Sequence, residues 1–253
     1  MAGAGQGASV TQACLMLLFE PGARPSAGAS RSALGKSAFA QVSYDPSEGN
    51  RAGAANDWLE VVADGLTFDL LGIAPGRALS LPQPRHRFAI PARPGQDFEA
   101  VGIAPGPHLS GAHSAMPVVR TLLRIGMAFT HALDGLAGAQ WLPAATAMSR
   151  EVFVKAVGGW LAGGPFPALG LTGIVELSDG ALVSDGLAFF TGQEIALDRA
   201  LCRDRREATR LLVRLIDRFA EQPPLAGEER IALEDGGSLR LVAGRTRIAV
   251  MPG

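Results

Sequence analysis

The sequence predicts an α+β protein, with mixed or antiparallel sheets carrying helices packed on one face and with two similar halves. Three observations lead there. From Arg150 to Leu161 the apolar residues Val152, Phe153, Ala156, Val157, Trp160 and Leu161 follow the i, i+3, i+4 spacing of a helix that buries one side. Beyond Gly163, Gly164 and Pro165, the apolar runs Leu169 to Leu177 and Ala181 to Ile195 flank Ser178-Asp179-Gly180, whose Asp-Gly pair favours a tight reversal. The segment from Phe68 to Gly76, ending Ala74-Pro75-Gly76, is echoed by Phe98 to Gly106, ending Ala104-Pro105-Gly106, so each copy reads as a strand closed by the same turn, the alternative being a pair of equivalent loops framing a site. The expected core is the helix laid on the hairpin.

Composition narrows the possibilities before any motif does. The chain has 253 residues, 47% hydrophobic and 19% charged, which places it among folded proteins with a sizeable core. A formal net charge of −1 argues against a protein whose task is to hold nucleic acid phosphates or an anionic membrane. Only Lys36 and Lys155 are lysines, so 21 of the 23 basic residues are arginine, a bias that GC-rich coding explains and that suggests a bacterial source. Cys14 and Cys202 have no paired spacing for a disulfide framework or zinc, so buried thiols in a reducing compartment are expected. No secretory signal is recognised before Phe19, and Arg120, Arg124 and His131 interrupt the apolar segment Pro117 to Leu133, so no membrane span is expected and a cytoplasmic location is.

Taken in order, Met1 to Ser9 reads as a mobile head, Gln12 to Phe19 as a buried strand, and Glu20 to Ser32 as a loop entering a short helix. Gly35-Lys36-Ser37 lacks the glycine five positions earlier that a phosphate loop needs, since Ser30 stands there. A short strand at Phe39 to Tyr44 precedes a hairpin of Trp58 to Ala63 and Leu66 to Ile73 around Asp64-Gly65, with Asn56 as an alternative helix cap. Leu66, Phe68 and Leu70 alternate with Thr67 and Asp69, so one face of that limb should be buried. The Pro- and Arg-rich stretch Arg77 to Gly95 reads as a surface connection between an N-terminal half, 1–92, and a C-terminal half, 93–253. Ser114 and Pro117 start a helix to Leu133 that is apolar nearly all round and so should be sandwiched. A strand at Ala139 to Ala145 follows, and Ser149 caps the helix described first. Asp198 opens a helix to about Glu221, and Arg230 to Leu233, Leu239 to Ala243 and Thr246 to Met251 form a meander, turned at Asp235-Gly236-Gly237 and Gly244, that could close a sheet edge.

No hydrolase elbow, zinc-protease helix or cysteine pair is present. His108 and His113 lack supporting carboxylates, so no metal and no cofactor is expected. Gln193 and Glu194 follow Phe189-Phe190-Thr191-Gly192, where a strand end could present a carboxylate at a pocket mouth or cap a neighbouring helix. Arg206, Arg210, Arg214 and Arg218 recur every four residues and form one ridge, either neutralised by Asp204, Glu207, Asp217 and Glu221 or open to an anionic partner.

Trp141-Leu142-Pro143-Ala144, the run Trp160 to Thr172 and the run Ser184 to Glu194 resemble the later half of an uncharacterised bacterial family, the domain of unknown function numbered 4261, over Ala100 to Leu197. The resemblance implies an α+β fold and a bacterial origin and brings no activity. Two functions follow from the sequence. One is a non-enzymatic binding or protein-interaction protein, self-associating or with a protein partner on the arginine ridge. The other is a small hydrolase-like enzyme with a pocket near His108, Arg120 and Glu194; Trp141 and Gln193 complete the candidate ligand-binding set.

Overall fold

The computed structural model describes residues 13–49, 57–90, 98–233 and 236–253. The head Met1 to Ser9, the alternative cap Asn56 and Asp235 of the last expected turn lie outside them. Among the described residues the strands form two sheets, and the fold is α+β.

The first sheet is built around β1 (Leu15–Phe19), whose five residues are all buried. An inner strand covered on both faces needs no alternation. Leu15, Leu17 and Phe19 join the main core, while Met16 and Leu18 pack with Ile90, Ala100 and Ala147 in a smaller cluster on the far face. On one side β1 pairs antiparallel with β6 (Glu99–Pro105), then come β4 (Leu66–Leu71), β3 (Trp58–Ala63) and β2 (Ala40–Tyr44). On the other lie β7 (Leu136–Trp141), β8 (Thr146–Ser149) and β5 (His86–Phe88), the last pair parallel. Asp64 and Gly65 reverse β3 into β4 with φ of 49° and 78°, as an Asp-Gly hairpin requires.

The two repeat copies become β4 and β6, neighbouring antiparallel strands with Phe68 opposite Pro105. Their Ala-Pro-Gly turns therefore lie at opposite ends of the sheet and do not frame one site. Asp69, expected on an open face, is 3% exposed, so the far face is closed over β4 as well.

Three helices cover the main face. α1 (Ala27–Gly35) is capped by Ser26, α2 (Met116–Ala132) begins with Pro117, and α3 (Arg150–Leu161) is capped by Ser149, whose Oγ accepts the Val152 N–H at 3.2 Å. α2 is sandwiched between the sheet and its two neighbouring helices. Gly126 allows the close approach: a Cβ there would stand 2.7 Å from Leu15 Cδ2. Among the described residues no helix is long and apolar enough to cross a membrane.

The expected core needs a correction. α3 buries Phe153 and Trp160, but it lies on β7 and β8 and not on the Asp179-Gly180 hairpin. The reason is local: Ser149 ends β8 and caps α3, so the helix folds back over the strands it leaves. The hairpin, β9 (Gly173–Glu176) and β10 (Leu182–Asp185), follows the short helix α4 (Ala168–Leu171) and belongs to the second sheet, and α6 (Arg205–Phe219) covers it. Its expected long second limb is broken at Gly186 and Gly192, with φ of 97° and 77°, around the short helix α5 (Ala188–Thr191). The chain then resumes as β11 (Glu194–Leu197), antiparallel to β10.

The C-terminal meander β12 (Glu228–Ala232), β13 (Ser238–Ala243) and β14 (Arg247–Pro252) extends this sheet, β14 running parallel to β11. The single helix expected from Asp198 is two pieces. Asp198 caps a short 3₁₀ turn, and Asp204 starts α6 by accepting the N–H groups of Arg206 and Glu207 at 2.8 and 3.1 Å.

The boundary at residue 92 separates no sheet from another, because the first sheet draws β1 to β5 from one side of it and β6 to β8 from the other. The expected surface connection after Arg77 also contributes, through β5 and through Leu79, Leu81 and Ile90 against the far face. It ties the sheets together: His86 Nε2 and Arg85 Nη2 each lie 2.9 Å from an Asp185 carboxylate oxygen.

Candidate functional site

The strand registers bring three chain ends to one edge of the first sheet. Leu15 stands opposite both Ile103 and Trp141, so the start of β1 and the ends of β6 and β7 converge. The Cys14 N–H donates to the Ile103 carbonyl at 3.1 Å, and the Leu142 N–H to the Cys14 carbonyl at 2.9 Å. Between them opens a cleft of about 950 Å³, in the upper part of the size range of small-molecule sites.

Its walls are mostly apolar. Pro105, Gly106 and Pro107 form one lip, where the second Ala-Pro-Gly copy runs into a 3₁₀ turn; Leu142 and Pro143 form another. Leu81 and Pro82 form a third, fixed by Gln140 Nε2 donating to the Pro82 carbonyl at 2.9 Å. Among the described residues its polar groups are few: Ser80, Ser110 and His113. His113 Nδ1 donates to the Ser110 carbonyl at 2.8 Å, which leaves Nε2 of the neutral ring as an acceptor. Burial pushes the Cys14 thiol up to about 11, so at neutral pH it is not a thiolate nucleophile.

Phe189 closes the cleft floor and connects it to the core. Its ring lies 5.6 Å from His113, 5.4 Å from Trp141 at 90°, and 5.1 Å from Phe190. Phe190 continues through Phe166 to Trp160, each step an edge-to-face pair.

Glu194 places Phe189. Its carboxylate accepts the Ser184 hydroxyl and the N–H groups of Gly186, Leu187 and Ala188, at 2.8, 3.2 and 3.0 Å for the three amides. It thus acts as the cap of the segment that carries Phe189. Gln193 is 5% exposed and clamps the second sheet, donating to the Leu225 and Gly244 carbonyls at 3.1 and 2.9 Å and accepting the Leu225 N–H at 2.8 Å. Trp141 is fully buried behind Phe189, and its Nε1 has no hydrogen-bond partner among the described residues.

The other sequence-derived candidates lie apart. His108 is exposed next to the lip and turned to Thr67, its ring nitrogens 3.2 and 3.3 Å from Thr67 Oγ1. Arg120 stacks 4.3 Å over the Trp160 ring, donates to the Trp160 carbonyl and pairs with Glu221, whose carboxylate also accepts Trp160 Nε1 at 2.8 Å. His108, Arg120 and Glu194 thus have three separate sets of partners, and none lines the cleft. Among the described residues no three His, Cys, Asp or Glu side chains are grouped to hold a metal ion.

On α6 the arginine ridge is exposed as its spacing requires. Arg210 pairs with Glu207 at 2.6 Å and Arg218 with Glu229 at 2.8 Å. Asp204 is spent on the helix cap, Asp217 on the Phe166 N–H and Glu221 on Trp160 and Arg120. Arg206 and Arg214 have no carboxylate partner among the described residues.

The sequence marks Cys14 only as a buried thiol and Phe189 only as a flank of Gln193 and Glu194, and it gives Ser80 and Ser110 no site role. Only the adjacent Pro105-Gly106-Pro107 and Phe189-Phe190 pointed to the region. Comparison of the chain with protein-family models, curated proteins and solved structures gives no match.

Proposed function

We propose that this chain is a non-enzymatic binding protein of a bacterial cytoplasm, whose ligand lies in the cleft floored by Phe189. The supporting observation is a roomy, mostly apolar cleft with three isolated polar groups, beside candidate catalytic side chains that are committed to other partners. An enzyme of the hydrolase kind would need His108, Arg120 and Glu194 around one reacting atom. The arginine-dominated composition and the resemblance to the family numbered 4261 support the bacterial source.

The ligand class that such walls favour is an uncharged, mainly apolar molecule with one donor to meet His113 Nε2. Titrating the purified protein with Nile red tests this. The dye should bind saturably and gain fluorescence, and Ser80→Trp, which fills the mouth from an exposed position, should abolish the gain. Equal binding by Ser80→Trp would remove the reading.

A second surface is favoured by Arg206 and Arg214, which face solvent without a neutralising carboxylate among the described residues. We assign it to an acidic protein partner or a second copy of the chain, with an association that weakens as salt rises.

A further inference from the structure

Away from the cleft, α1, the segment after it and the last turns of α2 line a second, open cavity of about 350 Å³. Its apolar floor is Phe39, Met127 and the alanines of both helices. Three basic side chains, Lys36, Arg124 and His131, also line it, and among the described residues no carboxylate does. From this combination we infer that the cavity binds a small organic monocarboxylate with an apolar body, a medium-chain fatty acid being the simplest.

The charge count selects the ligand. Arg124 is already neutralised by Asp64 in a close ion pair and lies 4.1 Å over the Phe39 ring, so it braces the wall. Lys36 and His131 are exposed and have no ion pair among the described residues. Lys36 is thus the uncompensated permanent charge, and His131 adds a hydrogen-bonding ring. The Ser37 hydroxyl is spent on the Leu34 carbonyl at 2.6 Å. A phosphate dianion would bring a second charge with no partner and leave the apolar floor uncovered, whereas a carboxylate with a hydrocarbon tail matches both. Lys36 closes α1 and His131 sits in the last turn of α2, so each also offsets the negative end of its helix. That purely structural role predicts a change in melting temperature on substitution and no change in binding.

Calorimetric titration with octanoate tests the assignment, with octanamide as the uncharged comparator. Octanoate should bind saturably with one site, and about tenfold more weakly in Lys36→Gln, as fits one lost charge-assisted contact. Octanamide, which also suits the larger cleft, should bind more weakly by a similar factor in Ser80→Trp, where that cleft is filled. Ala132→Phe, which fills the floor, should abolish binding, and Phe189→Ala in the larger cleft should leave it unchanged. Four results would overturn the inference: no saturable binding, equal affinity for octanamide, unchanged affinity in Lys36→Gln, or affinity lost in Phe189→Ala and kept in Ala132→Phe. Lys36 is exposed, so its variant folds and remains decisive if Ala132→Phe does not.

Discussion

His86 Nε2 stands 2.9 Å from Asp185 Oδ2, and this contact joins the edge strand of one sheet to an inner strand of the other. Gly173 makes room for it, because a Cβ at that position would meet the His86 ring at 2.2 Å. Removal of Asp185 leaves the half-buried His86 ring without its contact, and removal of His86 leaves Asp185 with Arg85 as its remaining partner, at a cost of about 1–2 kcal/mol each. His86→Ala and Asp185→Ala should each lower stability by that amount in urea titrations. The double variant should cost clearly less than the sum, since both remove one interaction. Additive losses would mean that the pair does not couple the sheets.

Glu194 is expected to act on the cleft without touching a ligand. Glu194→Gln replaces an acceptor-only carboxylate with an amide that must turn a donor toward the Gly186, Leu187 and Ala188 N–H groups. Phe189 should lose its fixed place, and Nile red affinity should fall by about tenfold for roughly one charge-assisted hydrogen bond lost. A variant that binds the dye as tightly as the unaltered protein would separate Glu194 from the cleft.

Asp45 gives the fold a defined acid sensitivity. Burial disfavours its charged form, but the Ser47 hydroxyl and N–H and the Arg31 guanidinium outweigh this and hold its carboxyl below the usual range. A folded-state value below the unfolded one adds stability that is fully present above the ordinary aspartate range, near about 4, and is lost as pH falls through the folded value. Thermal melts should show Asp45→Asn less stable than the unaltered protein at pH 7, with the two converging in acid. A constant difference at all pH values would sink this account. Glu99, lowered chiefly by its hydrogen bond from Arg24, contributes in the same direction.

Phe153 is fully buried on α3, against α2 near Gly126. Phe153→Ala should cost about 3–5 kcal/mol, the loss of an aromatic side chain from a packed core. A loss under about 1 kcal/mol would mean that α3 is not part of the main core.

Much of the fold was legible wherever the signal was local. Asp64-Gly65 marked its hairpin because only a few residues accept two successive positive φ values, and Ser149 marked the start of α3 because its hydroxyl caps it. What failed was pairing at a distance. Nothing local in His86-Arg87-Phe88 announces a strand, since its partner β8 lies far along the chain and the pair is parallel. The run Ala181 to Ile195 read as one limb because apolar content hid the two positive-φ glycines inside it. The site was less legible than the fold. Trp141, Gln193 and Glu194 were singled out individually, but the cleft exists only where the registers of β1, β6 and β7 bring their ends together, and Cys14 and Phe189 carry no motif of their own.

The placement of β1 sets the order in which the polypeptide can mature. Leu15 finds its neighbours only at Ile103 and Trp141, so during synthesis an early, wholly apolar strand must wait until both have left the ribosome. Such distant pairing makes assembly slow and leaves a sticky edge exposed in the meantime. A nascent chain halted before Trp141 should therefore be a client for chaperones, and release should come in one late step when the seventh strand closes over the first.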